Sequence, residues 1–549
     1  MIALRQLALL GALARVGLGQ DCPILGPAYP EVSNPGSSAA FSAAKTAFES
    51  EITKAIASGQ LDNGTTFAIQ VFSRNADKTL YEQYHGAVGP ETLYRIASIS
   101  KVMSVYTTLA ELGDKYWNEP VTKYVPELAC LKVQNPVYNT DWADVTLGSL
   151  ASHMGGIARD YALGDVSAYT PPGLPGLPVL NQSRQMQCGT GAPGVRGCTR
   201  EETFAKIAQS FPISPSFHTP AYSNMAFQVL GYAVEKITKK KFASLVDKNL
   251  VKRLKLTRTF LTKPTNDSNA LILDGWDTDF GEEAPGAGYY SCANDLTTLG
   301  RSILSSSLLP PLLTRQWLKP ITHTASLSLS IGRPWEIMRL AVPVSPGSQT
   351  TRVVDLYTKQ GATGQYQTLL ALSPDHGVGY AMLVGGPQVG ASYNFLQAKV
   401  NELFVAAAEQ AGREQAEAAY GGTYTLAGDG SAAEFVLRPG EPGLLMTRLV
   451  SNGTDIVGLV GPLVGVPAGV TLGVWLYPVG LAGKGKVAFR ASIGVLGLTA
   501  GETCAAWGSL DNLRYGGFPA DLFIFELGKD GKAVGVEVPV LQKTLKRSV

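Results

Sequence analysis

Charge is scarce in this chain. Asp, Glu, Lys and Arg make up only 16% of its 549 residues, and 46 cations against 44 anions leave a net charge of +2. No sustained basic field exists to neutralise phosphates, which excludes a nucleic-acid binder that works by counterion release. The one dense basic run, Lys239, Lys240 and Lys241, ends an apolar-periodic segment and reads as a helix C-terminus. Histidine is limited to His85, His153, His218, His323 and His376, at no metal-ligand spacing, and no C-x-x-C pair exists, so neither metal nor cofactor is expected. No G-x-S-x-G occurs, which argues against an α/β-hydrolase with its nucleophile elbow. A glycine pattern from Gly189 to Gly194 contains Pro193 and follows no strand, so a dinucleotide fingerprint is excluded.

Long apolar runs are missing too. The first stretch, Met1 to Ala14, is too short to span a membrane and is followed by Arg15 and small residues, the pattern of a signal peptide over 1–19. The uncharged stretch 456–483 holds ten Gly or Pro among 28 positions and reads as short buried strands with turns, so no stable membrane span is expected. Four Asn-x-Ser/Thr acceptors, at Asn63, Asn181, Asn266 and Asn452, agree with a secreted, glycosylated chain. Six cysteines in an oxidising compartment point to disulfides. Cys188 and Cys198 are close enough to pair as a loop staple, while Cys22, Cys130, Cys292 and Cys504 allow three pairings.

What is present is enough apolar residue, 45%, to fill a large core. The length exceeds one ordinary domain of roughly 100–200 residues, so two are expected. Residues 20–38 read as an extended lead-in. Phe41, Ala44, Phe48, Ile52 and Ile56 then recur at helical spacing, followed by a hairpin signal over 66–72 and 79–84 and a second helix from about Ser98. Stretch 161–199, rich in Pro and Gly, reads as a surface insertion. Near residue 420 the character changes: 24 of the 60 glycines fall in the last 130 residues, between short alternating runs, as in an antiparallel β module. An Ala-, Glu- and Gln-rich linker over 406–419 leads into it.

Three clusters carry chemistry. Ser98-Ile-Ser-Lys101 enters an apolar helix, where i and i+3 share a face, so the amine can reach the hydroxyl. Lysine accepts the serine proton only when neutral, which burial favours. Tyr222-Ser-Asn224 opens another apolar helix. Lys359-Gln360-Gly361 ends a β-rich run, where glycine lets a substrate lie against the strand edge. Each triplet alone is cheap: Ser42 to Lys45 also fits the first, and Tyr116 to Asn118 the second.

In that order the three clusters resemble the serine β-lactamase and penicillin-binding-protein superfamily, class C β-lactamases in particular, and the secreted β-lactamase-like hydrolases of filamentous fungi. The likeness extends through Leu150-Ala-Ser-His-Met-Gly-Gly156 and Gly288-Tyr-Tyr-Ser-Cys-Ala-Asn-Asp-Leu296. The resemblance implies an α+β chain. A catalytic domain over 39–410 would carry an antiparallel sheet flanked by helices plus an all-helical region, and a smaller all-β domain would occupy 420–549. It implies Ser98 as acylated nucleophile, Lys101 as its proton acceptor and Tyr222 as proton shuttle to the leaving group. Asn224 would hold Lys101 and a substrate carbonyl, Lys359 would lower the Tyr222 pKa, and the N–H groups of Ser98 and Ala362 would form an oxyanion hole. Gln360 and Gly361 would line the substrate, and His153 is expected to have a structural hydrogen-bonding role.

Gln360 departs from the family pattern, which has Thr or Ser there to hold a β-lactam carboxylate. That disfavours β-lactams and favours a small-molecule ester, thioester or amide. Three readings stand: a hydrolase, an acyltransferase or chain-releasing hydrolase of polyketide metabolism with the same acyl-serine, and an inactive binding protein. Oligomeric state is not legible.

Overall fold

Helix α1, Ala39–Ala57, opens on Ser38, whose Oγ accepts from Ala40 N at 3.1 Å, and buries Phe41, Phe48 and Ile52 along one side. Strands β1 (Thr66–Ser73) and β2 (Tyr81–His85) follow as the expected hairpin. This computed structural model describes residues 23–161, 165, 176–181, 188–189, 196–265, 268–463, 471–495 and 506–548.

The hairpin belongs to an 8-stranded sheet completed by β3 (Thr322–His323), β4 (Leu329–Ile331), β5 (Glu336–Pro343), β6 (Thr351–Thr363), β7 (Tyr366–Ser373) and β8 (Val378–Gly385). The order is β2-β1-β8-β7-β6-β5-β4-β3, with every pair antiparallel. Side chains alternate between two cores, as the pleat requires. Phe67, Ile69, Leu369 and Met382 join α1, whereas Ala68, Phe72, Leu370 and Leu383 join a helical layer on the other face. Each of the larger side chains among them contributes about 1.5–3 kcal/mol by burial. The helical layer contains α2 (Ser100–Leu112), α3 (Met225–Thr238) and α4 (Ala293–Leu304). Helix α3 ends on Lys239 in the left-handed region, where the basic run was expected to stop a helix.

The stretch expected as a linker is helical. Helix α5 (Val389–Val400) continues through a π turn, Asn401–Val405, into α6 (Ala406–Tyr420), which packs Ala407, Ala408 and Ala411 into the α1 core. Alanine favours helix wherever packing permits it. Beyond α6, eight strands close a barrel: β9 (Gly422–Leu426), β10 (Ser431–Val436), β11 (Leu444–Ser451), β12 (Leu472–Gly483), β13 (Lys486–Val495), β14 (Leu522–Leu527), β15 (Ala533–Val538) and β16 (Lys543–Arg547). The order is β10-β9-β16-β15-β14-β13-β12-β11, and β10 also pairs with β11, which removes the open edges. The chain is therefore α+β, with the expected sheet-and-helix domain and an all-β domain after it.

Two further expectations are corrected. Residues Ile456–Leu463 form a short helix rather than strand, because Asp455 Oδ1 accepts from Val457 N at 3.1 Å and caps it. Cys188 and Cys198 are joined, but Cys130 is an exposed thiol and Cys292 a buried one. Cys292 instead caps α4, its Sγ accepting from Asp295 N at 3.5 Å, and burial pushes its thiol up to about 12. The leader, Cys22, Cys504, Asn266 and most of the 161–199 insertion lie outside the described residues. Among the described residues no helix is long and apolar enough to cross a membrane, and no cluster of three or more His, Cys, Asp or Glu could hold a metal.

Candidate active site

Helix α2 is entered through a 3-10 turn, Ala97–Ile99. Ala97 has φ 41°, a left-handed conformation that costs a residue with a Cβ roughly 1–3 kcal/mol. The turn is held from both sides: Ile96 N donates to Tyr289 O at 3.2 Å, and Ile96 O accepts from Thr368 Oγ1 of β7 at 3.1 Å. It leaves Ser98 half-buried, with Lys101 one turn further and fully buried.

Lys101 Nζ donates to Ser98 Oγ at 3.1 Å, to Gly286 O at 2.8 Å and to Asn224 Oδ1. Tyr222 OH donates to the same Ser98 Oγ at 2.6 Å. Burial disfavours the Lys101 ammonium and lowers its pKa; the Tyr222 phenol opposes this and the Lys359 charge adds to it. For Tyr222 burial pushes upward, but the charges of Lys101 and Lys359, with hydrogen bonds from Lys101 and Ser98, leave it below the usual phenol value. The site thus contains a lysine made easier to deprotonate and a phenol made more acidic, both on one serine oxygen.

Asn224 Nδ2 donates to Asp160 Oδ1 at 2.8 Å, which fixes the amide with its oxygen toward Lys101. His153 lies flat on Tyr222, ring centres 4.4 Å apart, and its Nδ1 accepts from Ser223 N at 3.1 Å. Burial, reinforced by Lys101, Lys359 and Arg159, keeps its pKa well below the ordinary histidine value, so it is neutral packing.

On the sheet side, Lys359 Nζ is buried and paired with Glu336. Burial alone would lower its pKa, yet Glu336 and Tyr222 hold it above the ordinary lysine value. Gly361 is required by contact: a Cβ there would lie 2.1 Å from Ile96 O and 3.0 Å from Ser98 N. Strand β5 pairs with β6 no further than Glu336 opposite Thr358, so 359–363 keeps one edge free of a neighbouring strand. Gln360 N points to that edge, donating to Glu336 Oε2 at 3.0 Å. Backbone direction repeats every two residues, so the N–H of exposed Ala362 points the same way.

The structure therefore brings Ser98, Lys101, Tyr222, Asn224, Lys359 and Gly361 together from α2, the start of α3 and β6. The alternative Ser42 and Lys45 lie on α1, on the other face of the sheet. Sequence reading missed Asp160, Gly286 and Glu336. None belongs to a local motif, and Glu336 meets Lys359 only because of the β5–β6 register.

The chain belongs to the β-lactamase family, whose model, described as Beta-lactamase, matches residues 55–400. A second, described as Beta-lactamase-like-like, C-terminal domain, matches residues 412–549. The "Beta-lactamase-like protein" of Arthroderma benhamiae is 29% identical over 535 residues, 87% of each chain. "Probable hydrolase M10" of Phoma sp. is 25% identical over 539 residues, 89% of this chain and 85% of that one. A D-stereospecific amidohydrolase from Streptomyces sp. superposes with a TM-score of 0.50 at 19% identity, over 66% of this chain and 98% of that one, a likeness of fold alone. Members of the family are serine hydrolases.

Proposed function

We propose that this chain is a secreted serine hydrolase that works through an acyl-Ser98 intermediate on a small-molecule ester, thioester or amide. The observation that carries the reading is that Ser98 Oγ is held at once by Lys101 Nζ at 3.1 Å and Tyr222 OH at 2.6 Å. A serine hydroxyl attacks only when a base takes its proton, and burial favours the neutral Lys101 that can do so. Ser98 Oγ bonds to the carbonyl carbon, its proton passes to Lys101, and Tyr222 carries a proton to the departing oxygen, sulfur or nitrogen. Water then adds to the acyl carbon and gives a proton to the neutral base, the bond to Ser98 Oγ breaks as that oxygen takes a proton back, and the acid is released. The N–H groups of Ser98 and Ala362 would hold the oxyanion, worth about a hundredfold or more per donor. Secretion is supported by the apolar leader, the Cys188–Cys198 disulfide and acceptors at exposed Asn63, Asn181 and Asn452.

The test is labelling with a serine-reactive fluorophosphonate, with the adduct located by mass spectrometry. An adduct on Ser98, lost together with turnover in Ser98→Ala, is the expected result. No adduct on Ser98 in folded protein, or unchanged turnover in Ser98→Ala, sinks the reading. Adding an alcohol to an activated ester assay then reports whether water or the alcohol takes the acyl group.

A further inference from the structure

The cation that would receive an anionic substrate group is already occupied. Lys359 Nζ has three N–H donors. One goes to Glu336 Oε1 and one to Gln360 O at 2.9 Å, and the ammonium lies 5.1 Å from the centre of the Tyr222 ring. Glu336 is pinned at both oxygens, since Oε2 accepts Gln360 N at 3.0 Å, and its main chain is held by Thr358 Oγ1. Its side chain keeps 27% of its surface exposed while that of Lys359 keeps 1%, so of this ion pair it is Glu336 that an incoming molecule can meet.

The other buried cation near the reacting serine is engaged as well. Lys101 donates to Ser98, Asn224 and Gly286, whereas Arg159, 4.8 Å from the Tyr222 ring, is 61% exposed, meets Asp160 only through Nε at 3.4 Å, and belongs to a loop that meets the start of α3 rather than to β6. Gln360 offers neither a charge nor a hydroxyl in compensation.

We propose that Glu336 sets the charge selectivity of the site, so that acyl compounds accepted beside β6 are neutral or cationic and those carrying a carboxylate there are rejected. This selectivity rests on the acyl-Ser98 chemistry proposed above. A substrate carboxylate would have to displace Glu336 from a buried ammonium or lie against a like charge, and either route penalises binding.

The experiment uses the full chain and three activated aryl esters of matched length whose acyl chains end in methyl, carboxylate or trimethylammonium. The wild-type protein is expected to process the methyl and ammonium esters with kcat/KM about tenfold or more above the carboxylate ester. In Glu336→Gln the gap should narrow by about tenfold, with the ratio between esters, rather than the rate, as the readout. A carboxylate ester processed as well as the others by the wild-type protein overturns the proposal without any variant. So does a ratio unchanged in Glu336→Gln while Ser98 still labels with fluorophosphonate. Failure of wild-type Ser98 to label overturns the catalytic reading itself, and the selectivity with it.

Discussion

Tyr222 places its hydroxyl 2.6 Å from Ser98 Oγ, from a ring backed by His153. Tyr222→Phe keeps the stacked ring and removes only the proton carrier. The expected outcome is a fall in kcat of about 10²–10⁴-fold with an unchanged fold, checked by steady-state kinetics and circular dichroism. The pH profile has a defined sign. Attack needs an unprotonated Lys101, held below the ordinary lysine value, and the leaving group needs a protonated Tyr222, held below the usual phenol value, so activity should fall as pH drops through the first and fall again as pH rises through the second. Rates that rise on acidification would exclude Lys101 as the base.

Asp160 acts on the site through Asn224. Its carboxylate accepts the Asn224 amide at 2.8 Å, and without it nothing in that contact tells the amide which end to turn to Lys101. Asp160→Ala should lower kcat by about 10–100-fold through misplacement of Lys101, with less effect on KM. A parallel fluorophosphonate labelling rate checks the origin of the loss: a kcat loss with unaltered Ser98 labelling would assign Asp160 to a later step.

Gly361 is fixed by neighbours that cannot yield, because a Cβ would approach Ile96 O, a backbone atom, to 2.1 Å and Thr368 Oγ1 to 2.6 Å. Gly361→Ala should destabilise by about 1–3 kcal/mol and push β6 away from Ser98, with loss of labelling at that serine. Thermal unfolding and labelling measured together check this, and a fully active Gly361→Ala would mean that β6 stands further from the nucleophile than the structure has it.

How much was legible in the sequence follows from how local each feature is. The i, i+3 relation of Ser98 and Lys101 is a property of helix geometry, and the hairpin and α1 follow from periodicity over adjacent residues. The convergence of Lys359 on Tyr222 was reached through resemblance, since nothing in the spacing brings them together. Glu336 and Asp160 were invisible because their partners are set by strand register and by a loop that meets the start of α3. Helix α6 was misread as a linker because Ala, Glu and Gln suit exposed connections and helices alike, and burial of Glu409 is a tertiary event.

That buried Glu409 carries the last prediction. Arg352 of β6 grips it with two bonds, Nε to Oε1 at 2.8 Å and Nη2 to Oε2 at 2.7 Å, and His376 Nε2 lies 2.8 Å from Oε2. Burial would raise the carboxyl, but Arg352 and His376 overcome it and hold the pKa at about 2 against an ordinary 4.5. A folded-state pKa below the unfolded one gives stability that is complete above about 4.5 and is lost as pH falls toward about 2. Glu409→Gln leaves the buried Arg352 charge with Asp375, 3.1 Å from Nη1, as its remaining anion, and should cost about 3 kcal/mol at neutral pH. It should also flatten the acid side of the stability curve, because the group that titrates there is gone. Thermal unfolding of both proteins across the acid range distinguishes this from a simple packing defect, which would lower the curve at every pH and leave its slope unchanged.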